Sequence, residues 1–253
     1  MRILRSFFIA LSMYSKIPVP QFPWKDEDMR YALCFFPWVG AVIGAVELLW
    51  FWLCSKYAVG ATAFACIGAA LPLVISGGIH VDGYMDTIDA LCSYQDRERK
   101  LAILKDSHIG AFSVIGLALY YLVYLGAFSE IKTGRQMTVL ALSFILSRVL
   151  SGIAVVEFRC AKKEGTLYAF AGSAHKRMVK TALSLQLVLC VCAMLSRWFL
   201  GGAVVAAGML AVFVYYRYKA YREFGGITGD VAGYFVTLAE GGAVLLVACL
   251  GYV

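Results

Sequence analysis

GAFSVIGLALYYLVYLGAFS, residues 110–129, runs for twenty residues without a charge. Its apolar side chains are continuous, whereas a membrane β-strand would alternate lipid-facing and lumen-facing residues. A helix rises about 1.5 Å per residue, so about twenty residues cross a hydrocarbon layer about 30 Å thick. Similar runs occur at 33–55, 58–78, 137–157, 181–200, 201–217 and 231–252, giving seven predicted spans. At Gly201-Gly202 two of them meet almost without a loop, so that pair also reads as one bent element plus a neighbour,. The 253 residues are 61% hydrophobic and 15% charged, with a mean hydropathy of +0.76; soluble domains average about 25% charged. The expected fold is an all-α polytopic integral membrane helical bundle, forming one domain over 1–253.

Upstream of that run, residues 76–110 read SGGIHVDGYMDTIDALCSYQDRERKLAILKDSHIG, with six acidic and four basic side chains. Gly77 and Gly78 suit the end of one helix and the start of another near His80. Asp82, Asp86 and Asp89 then fall at i, i+4 and i+7, on one face,. Two such charges about 4 Å apart repel by roughly 4 kcal/mol at an effective dielectric of about 20. A partly buried trio therefore needs protons, basic partners or a cation, and a hard divalent ion is the simplest of these.

Placing the N-terminus in the cytoplasm puts 18 of the 23 Lys and Arg on that side and four on the other, with Arg148 inside a span. That bias sets the expected orientation in the cell membrane. It also brings Asp82, Asp86, Asp89, Asp106, Glu164 and Asp230 to the cytoplasmic face, though acidic residues played no part in it. Residues 1–30 read as an amphipathic N-terminal segment, with Arg2, Arg5 and Lys16 at headgroup level and Phe7, Phe8, Ile9 and Leu11 below,. A first helix packed on the bundle is the alternative reading. The eight cysteines form no CxxC pair and lie mostly in apolar runs, so no zinc or disulfide framework follows,. The net charge of +7 reports orientation and anionic lipid,. Membrane lipid is thus an expected partner, nucleic acid is not, and association with further copies is left open.

Lys105, Asp106 and Ser107 stand just before Gly110 and the helix that follows, where backbone N–H groups could approach a phosphate; a plain N-cap is the alternative,. FGGITGD, 224–230, offers Gly229 and Asp230 at the start of the last span, as site or as cap,. Arg148, mid-span, costs about 2.5–3.5 kcal/mol to insert even on the lenient scale. An anionic pyrophosphate ligand is preferred for it over pairing with Glu47. His80 either bonds a phosphate or caps its turn. Lys162, Lys163, Lys176, Arg177 and Lys180 read mainly as a lipid surface, with nucleotide-phosphate contact as the minor alternative.

With KIPVP at 16–20, FFPWVG at 35–40, GGIHVDGYMDTIDA at 77–90, KDSHIGAF at 105–112, SR at 147–148, KKEG at 162–165 and GGITGD at 225–230, the chain resembles the cobalamin synthase (adenosylcobinamide-GDP ribazoletransferase) family over nearly its whole length. His108 departs from an arginine often found there. Thr237 stands where a glutamate is frequent, and Glu240 matches the next glutamate. The resemblance implies an enzyme joining adenosylcobinamide-GDP to α-ribazole or its 5′-phosphate, with release of GMP. It implies Mg²⁺ as cofactor, in keeping with the clustered carboxylates. On that view Asp82, Asp86 and Asp89 hold the metal, and Arg148 or Lys105 meets the phosphates with His80, Ser107 and Gly229. Asp106 or Asp230 then takes the hydroxyl proton or completes the metal shell. A CDP-alcohol-phosphotransferase-like enzyme and an ion-coupled transporter are the competing readings. The chain lacks the first family's DGxxAR arrangement and shows no repeat of the kind the second would have,.

Overall fold

The computed structural model describes residues 2–20, 22 and 25–252, without the side chains of Arg2 and Asp26. The described residues are mainly helical: α1 (Arg2–Tyr14), α2 (Asp26–Met29), α3 (Ala32–Tyr57), α4 (Ala61–Ser76), α5 (Ile79–Cys92), α6 (Arg97–Ile103), α7 (Ala111–Ser129), α8 (Gly134–Glu157), α9 (Thr166–Ser173), α10 (Lys176–Arg197), α11 (Phe199–Lys219) and α12 (Gly229–Leu250). A single π-turn, Ala220–Phe224, closes α11. Among the described residues the only extended pairing is one parallel bridge, Cys160 to Ile227.

Six helices are long and apolar enough to cross a membrane, and α4 with α5 makes a seventh candidate bent by 96°. The expected span 58–78 is therefore α4, shorter than foreseen, because Gly77 and Gly78 both take positive φ and turn the chain,. At the other doubtful boundary, Trp198 alone separates α10 from α11, so these are two helices.

Helix α8 is the axis of the bundle. Most of its residues are buried, and it opens with a capping box in which Thr133 and Gln136 satisfy each other's backbone,. Helix α3 crosses it so closely that a Cβ on Gly40 would lie 2.1 Å from the Phe144 carbonyl oxygen. On α1, Ile9 and Ala10 are fully buried, and Phe7 packs edge-on against Phe35 and Trp38. Of the two N-terminal readings, the packed helix accounts for this face, while Ile3 and Leu4 stay exposed.

The two ends of the bundle differ in chemistry. One end is tied by Tyr252 Oη donating to Glu130 at 2.6 Å, Gln136 Nε2 donating to the Val247 carbonyl at 3.3 Å, and Arg135 over the Trp198 ring. The other gathers Lys100–Glu223 at 2.5 Å, Lys105–Glu164 at 2.6 Å and the Lys16 amide on the Ile75 carbonyl. Helix α5 lies across this second end. Asp89 caps α7, the Tyr84 hydroxyl donates to the Gly116 carbonyl at 3.3 Å, and Tyr84 stacks on Tyr234 at the start of α12.

Gly40→Val should force α3 off α8 and cost about 1–3 kcal/mol, as overpacking does. A thermal melt of the detergent-solubilised variant, compared with the parent, checks this.

Candidate active site

Helix α5 carries the acidic face, and glycines set its distance from α12. A Cβ on Gly83 would lie 2.6 Å from the Asp230 carbonyl oxygen, and one on Gly233 would lie 2.9 Å from the carbonyl oxygen of His80. Backbone thus meets backbone, and Asp82 and Asp86 on α5 come beside Asp230 on α12. Among the described residues no side chain bonds the Asp82 or Asp86 carboxylate. Partial burial, then repulsion from Asp82, Asp230 and Asp89, pushes the Asp86 carboxyl up to about 6,.

Asp89 has backbone partners that its spacing alone does not reveal. Its Oδ2 accepts the Gly110 amide at 2.7 Å and its Oδ1 the Ser113 amide at 2.8 Å. Both oxygens of this expected metal ligand are engaged in satisfying the free N–H groups at the start of α7.

Two cavities meet at Gly229 and Asp230. The larger, about 470 Å³, is polar at its rim, with Lys105, Lys162, Glu164 and Thr228 in its walls. The smaller, about 250 Å³, is an apolar slot reaching under α1 and α9, with His80, Asp82 and Asp230 among its lining. Thr166 and Leu167 also belong to both. Lys162, read mainly as a lipid contact, is here a cleft residue. Its Nζ donates to the Leu101 carbonyl at 3.0 Å, and burial followed by the charge of Lys105 holds it below the usual lysine range. The paired basic and acidic letters of KKEG were the available signal: Lys162 and Glu164 both turn into the cleft while Lys105 bridges back to Glu164.

The remaining candidates divide. Asp106 is exposed at the rim, and its Oδ1 takes the His108 amide at 3.0 Å and faces the His108 ring at 2.6 Å. Those bonds hold Asp106 below the usual carboxylate range. Ser107 is exposed on the same loop. His80 is buried beside Phe36, with Nε2 unpartnered. Arg148 is 1% exposed and is turned to the bundle core. It pairs with Glu240 and donates to the Phe144 carbonyl at 2.8 Å, while Ser147 Oγ donates to the same Glu240 oxygen at 3.0 Å. The guanidinium expected to meet a ligand phosphate is spent on Glu240, and Glu47 is fully buried with no hydrogen-bond partner for either oxygen.

Asp82, Asp86 and Asp230 are hard oxygen donors of the kind Mg²⁺ accepts, and the repulsion that Asp82 and Asp230 exert on Asp86 fits a cation beside it,. Among the described residues no three His, Cys, Asp or Glu side chains form a ready-made cage. The donors therefore suit an ion that keeps several waters and takes further ligands from a substrate's phosphate oxygens.

A family described as cobalamin-5-phosphate synthase matches residues 6–249. The chain is 46% identical to an adenosylcobinamide-GDP ribazoletransferase of Lachnoclostridium phytofermentans, over 95% of this chain and 92% of the relative. It is 34% identical to the protein of that name in Clostridium perfringens, over 96% of each, and 30% identical to that of Listeria monocytogenes, over 98% and 96%. No solved structure matches.

Asp86 generates a pH signature. A carboxyl whose folded value, about 6, lies above its unfolded value of about 4 binds its proton more tightly when folded. The metal-free protein should therefore be more stable near pH 4 and lose that increment as pH rises through about 6,. Asp86→Asn should flatten this slope, and Mg²⁺ at neutral pH should raise the melting temperature of the parent more than that of the variant.

Arg148→Ala should cost about 3–5 kcal/mol by stranding Glu240, and Arg148→Met with Glu240→Leu should recover most of it. Melting temperatures of the two single variants and the double variant test the pair.

Proposed function

This chain belongs to the cobalamin-5-phosphate synthase family, and we propose that it joins adenosylcobinamide-GDP to α-ribazole or its 5′-phosphate at the cytoplasmic face of the cell membrane. The hydroxyl oxygen at the ribazole 3′ position bonds to the phosphorus on the cobinamide side. The bond from that phosphorus to the bridging oxygen breaks, GMP leaves with that oxygen, and the hydroxyl proton is given up. The observation that carries this reading is the junction of two cavities at Asp230, one faced by two lysines and the other by the carboxylates of Asp82 and Asp230.

Asp82 and Asp86 would hold Mg²⁺, with Asp230 in reach; bound there, the ion would neutralise charge developing on phosphate oxygens. Asp230, on the wall shared by both cavities, is placed to accept the hydroxyl proton, a role its neighbourhood fits better than that of exposed Asp106. Lys105 and Lys162 face the pyrophosphate and the departing GMP, and Gly229 lets backbone approach it without a side chain,. Arg148 acts at a distance, holding α8 to α12 through Glu240 so that Asp230 stays in register.

Purified protein in liposomes should release GMP from adenosylcobinamide-GDP only when α-ribazole and Mg²⁺ are both present. Asp82→Ala should lower that rate by at least about a hundredfold and leave the protein folded. Near-parental turnover in this variant would remove Asp82 from the chemistry. Absence of GMP release from the parent would remove the reaction.

A further inference from the structure

The apolar slot is more specific than a general cleft, and its walls bear on which part of which substrate enters it. Tyr14 and Phe36 form one side, their ring centroids 4.3 Å apart. Val155, Leu167 and Phe170 help form the rest. Asp82 and Asp230 are the only carboxylates in the lining among the described residues, and Tyr14, His80, Ser151 and Thr166 add single polar groups to mostly apolar walls. A pocket of this kind, apolar with a few convergent polar groups, selects a ligand with an apolar body and a polar tip.

We propose that this slot binds the flat aromatic base of the ribazole acceptor, with the ribose emerging beside Asp82 and Asp230; the assignment rests on the reaction proposed above. Three features favour this occupant. The slot, about 250 Å³, sits below the range of drug-sized sites, so a corrinoid cannot enter it. Guanine would have to pair every group of its hydrogen-bonding edge with four side chains spread over four helices, Tyr14, His80, Ser151 and Thr166, at a cost of about 1–3 kcal/mol for each group left unpaired,. A benzimidazole-type base is apolar over both faces and most of its edge, and stacks on aromatic side chains at no such cost. The base therefore chooses the pocket, and the attached sugar brings its hydroxyl to the carboxylates.

Val155 sits in the slot wall on α8, away from Asp82 and Asp230 in sequence. Val155→Phe should fill the slot and raise KM for α-ribazole roughly tenfold or more, with KM for adenosylcobinamide-GDP unchanged. Val155→Ala should shift preference toward acceptors with a bulkier base. On the unaltered protein, free dimethylbenzimidazole should inhibit competitively against α-ribazole and not against adenosylcobinamide-GDP, a result that does not depend on any variant folding. Competition against adenosylcobinamide-GDP would assign the slot to the guanine or corrin part and overturn the proposal. Inhibition by the free base against neither substrate, with activity rising and falling with lipid content, would assign it to an acyl chain and overturn it equally. Failure of the unaltered protein to release GMP at all would sink the parent reading together with this one, whereas normal GMP release with an unresponsive slot sinks this one alone.

Discussion

The site depends on one contact, the crossing of α5 over the start of α12 at Gly83 and Gly233. With any side chain at Gly83 the two backbones would have to separate, since the Asp230 carbonyl oxygen already occupies that space. Helices normally pack with axes about 8–10 Å apart, and glycine is what permits a closer approach. This closeness puts carboxylates from two helices into one small region, and the repulsion on Asp86 is its electrostatic cost. Packing, not attraction between the functional groups, assembles the cluster. The stacked Tyr84 and Tyr234 and the Tyr84 bond to Gly116 secure the crossing.

A second constraint comes from the hydrocarbon around the bundle. Arg148 and Glu240 are placed where lone charges would be very costly, and each is tolerated because the other is there,. Their union also joins α8 to α12, the same unbroken helix that carries Asp230, whose carboxylate lines both cavities. Glu47, with neither oxygen partnered, sits on α3 in the same layer. Core and site are thus coupled through shared helices, so changes far from the cleft should reach it through the position of α12.

The architecture was legible because it follows from hydropathy and charge placement. Continuous apolar runs announce helices, and the Gly77-Gly78 pair announces the break before α5, where both residues take positive φ. The i, i+4, i+7 spacing correctly put three aspartates along one helix, but spacing cannot say what lies opposite each position. Asp89, one turn further along, reaches the amides of Gly110 and Ser113 and becomes a cap. Arg148 poses the same difficulty: a mid-span arginine must have a partner, and the sequence offers Glu47, Glu240 and a ligand without ranking distances. Lys162 looked like one more interfacial lysine until the bridge from Cys160 to Ile227 folded its loop over the cleft. In each case the local signal was sound and the deciding fact was a contact between residues far apart in the chain.

The arrangement of the two cavities also bears on the order of events. An in-line displacement at phosphorus needs the attacking and leaving oxygens on opposite sides of the reacting atom. Gly229 and Asp230 form a wall common to both cavities, with the slot on one side and the lysine-faced cleft on the other. In the proposed reaction the acceptor approaches from the slot and GMP departs toward Lys105 and Lys162, so each reactant has its own route and neither must pass the other. The two routes differ in character as their cargo does: the nucleophile arrives on an apolar base, and the leaving group carries phosphate charge. A single open groove would place both in competition for the same surface. Sharing one wall keeps them apart until they meet at the carboxylates.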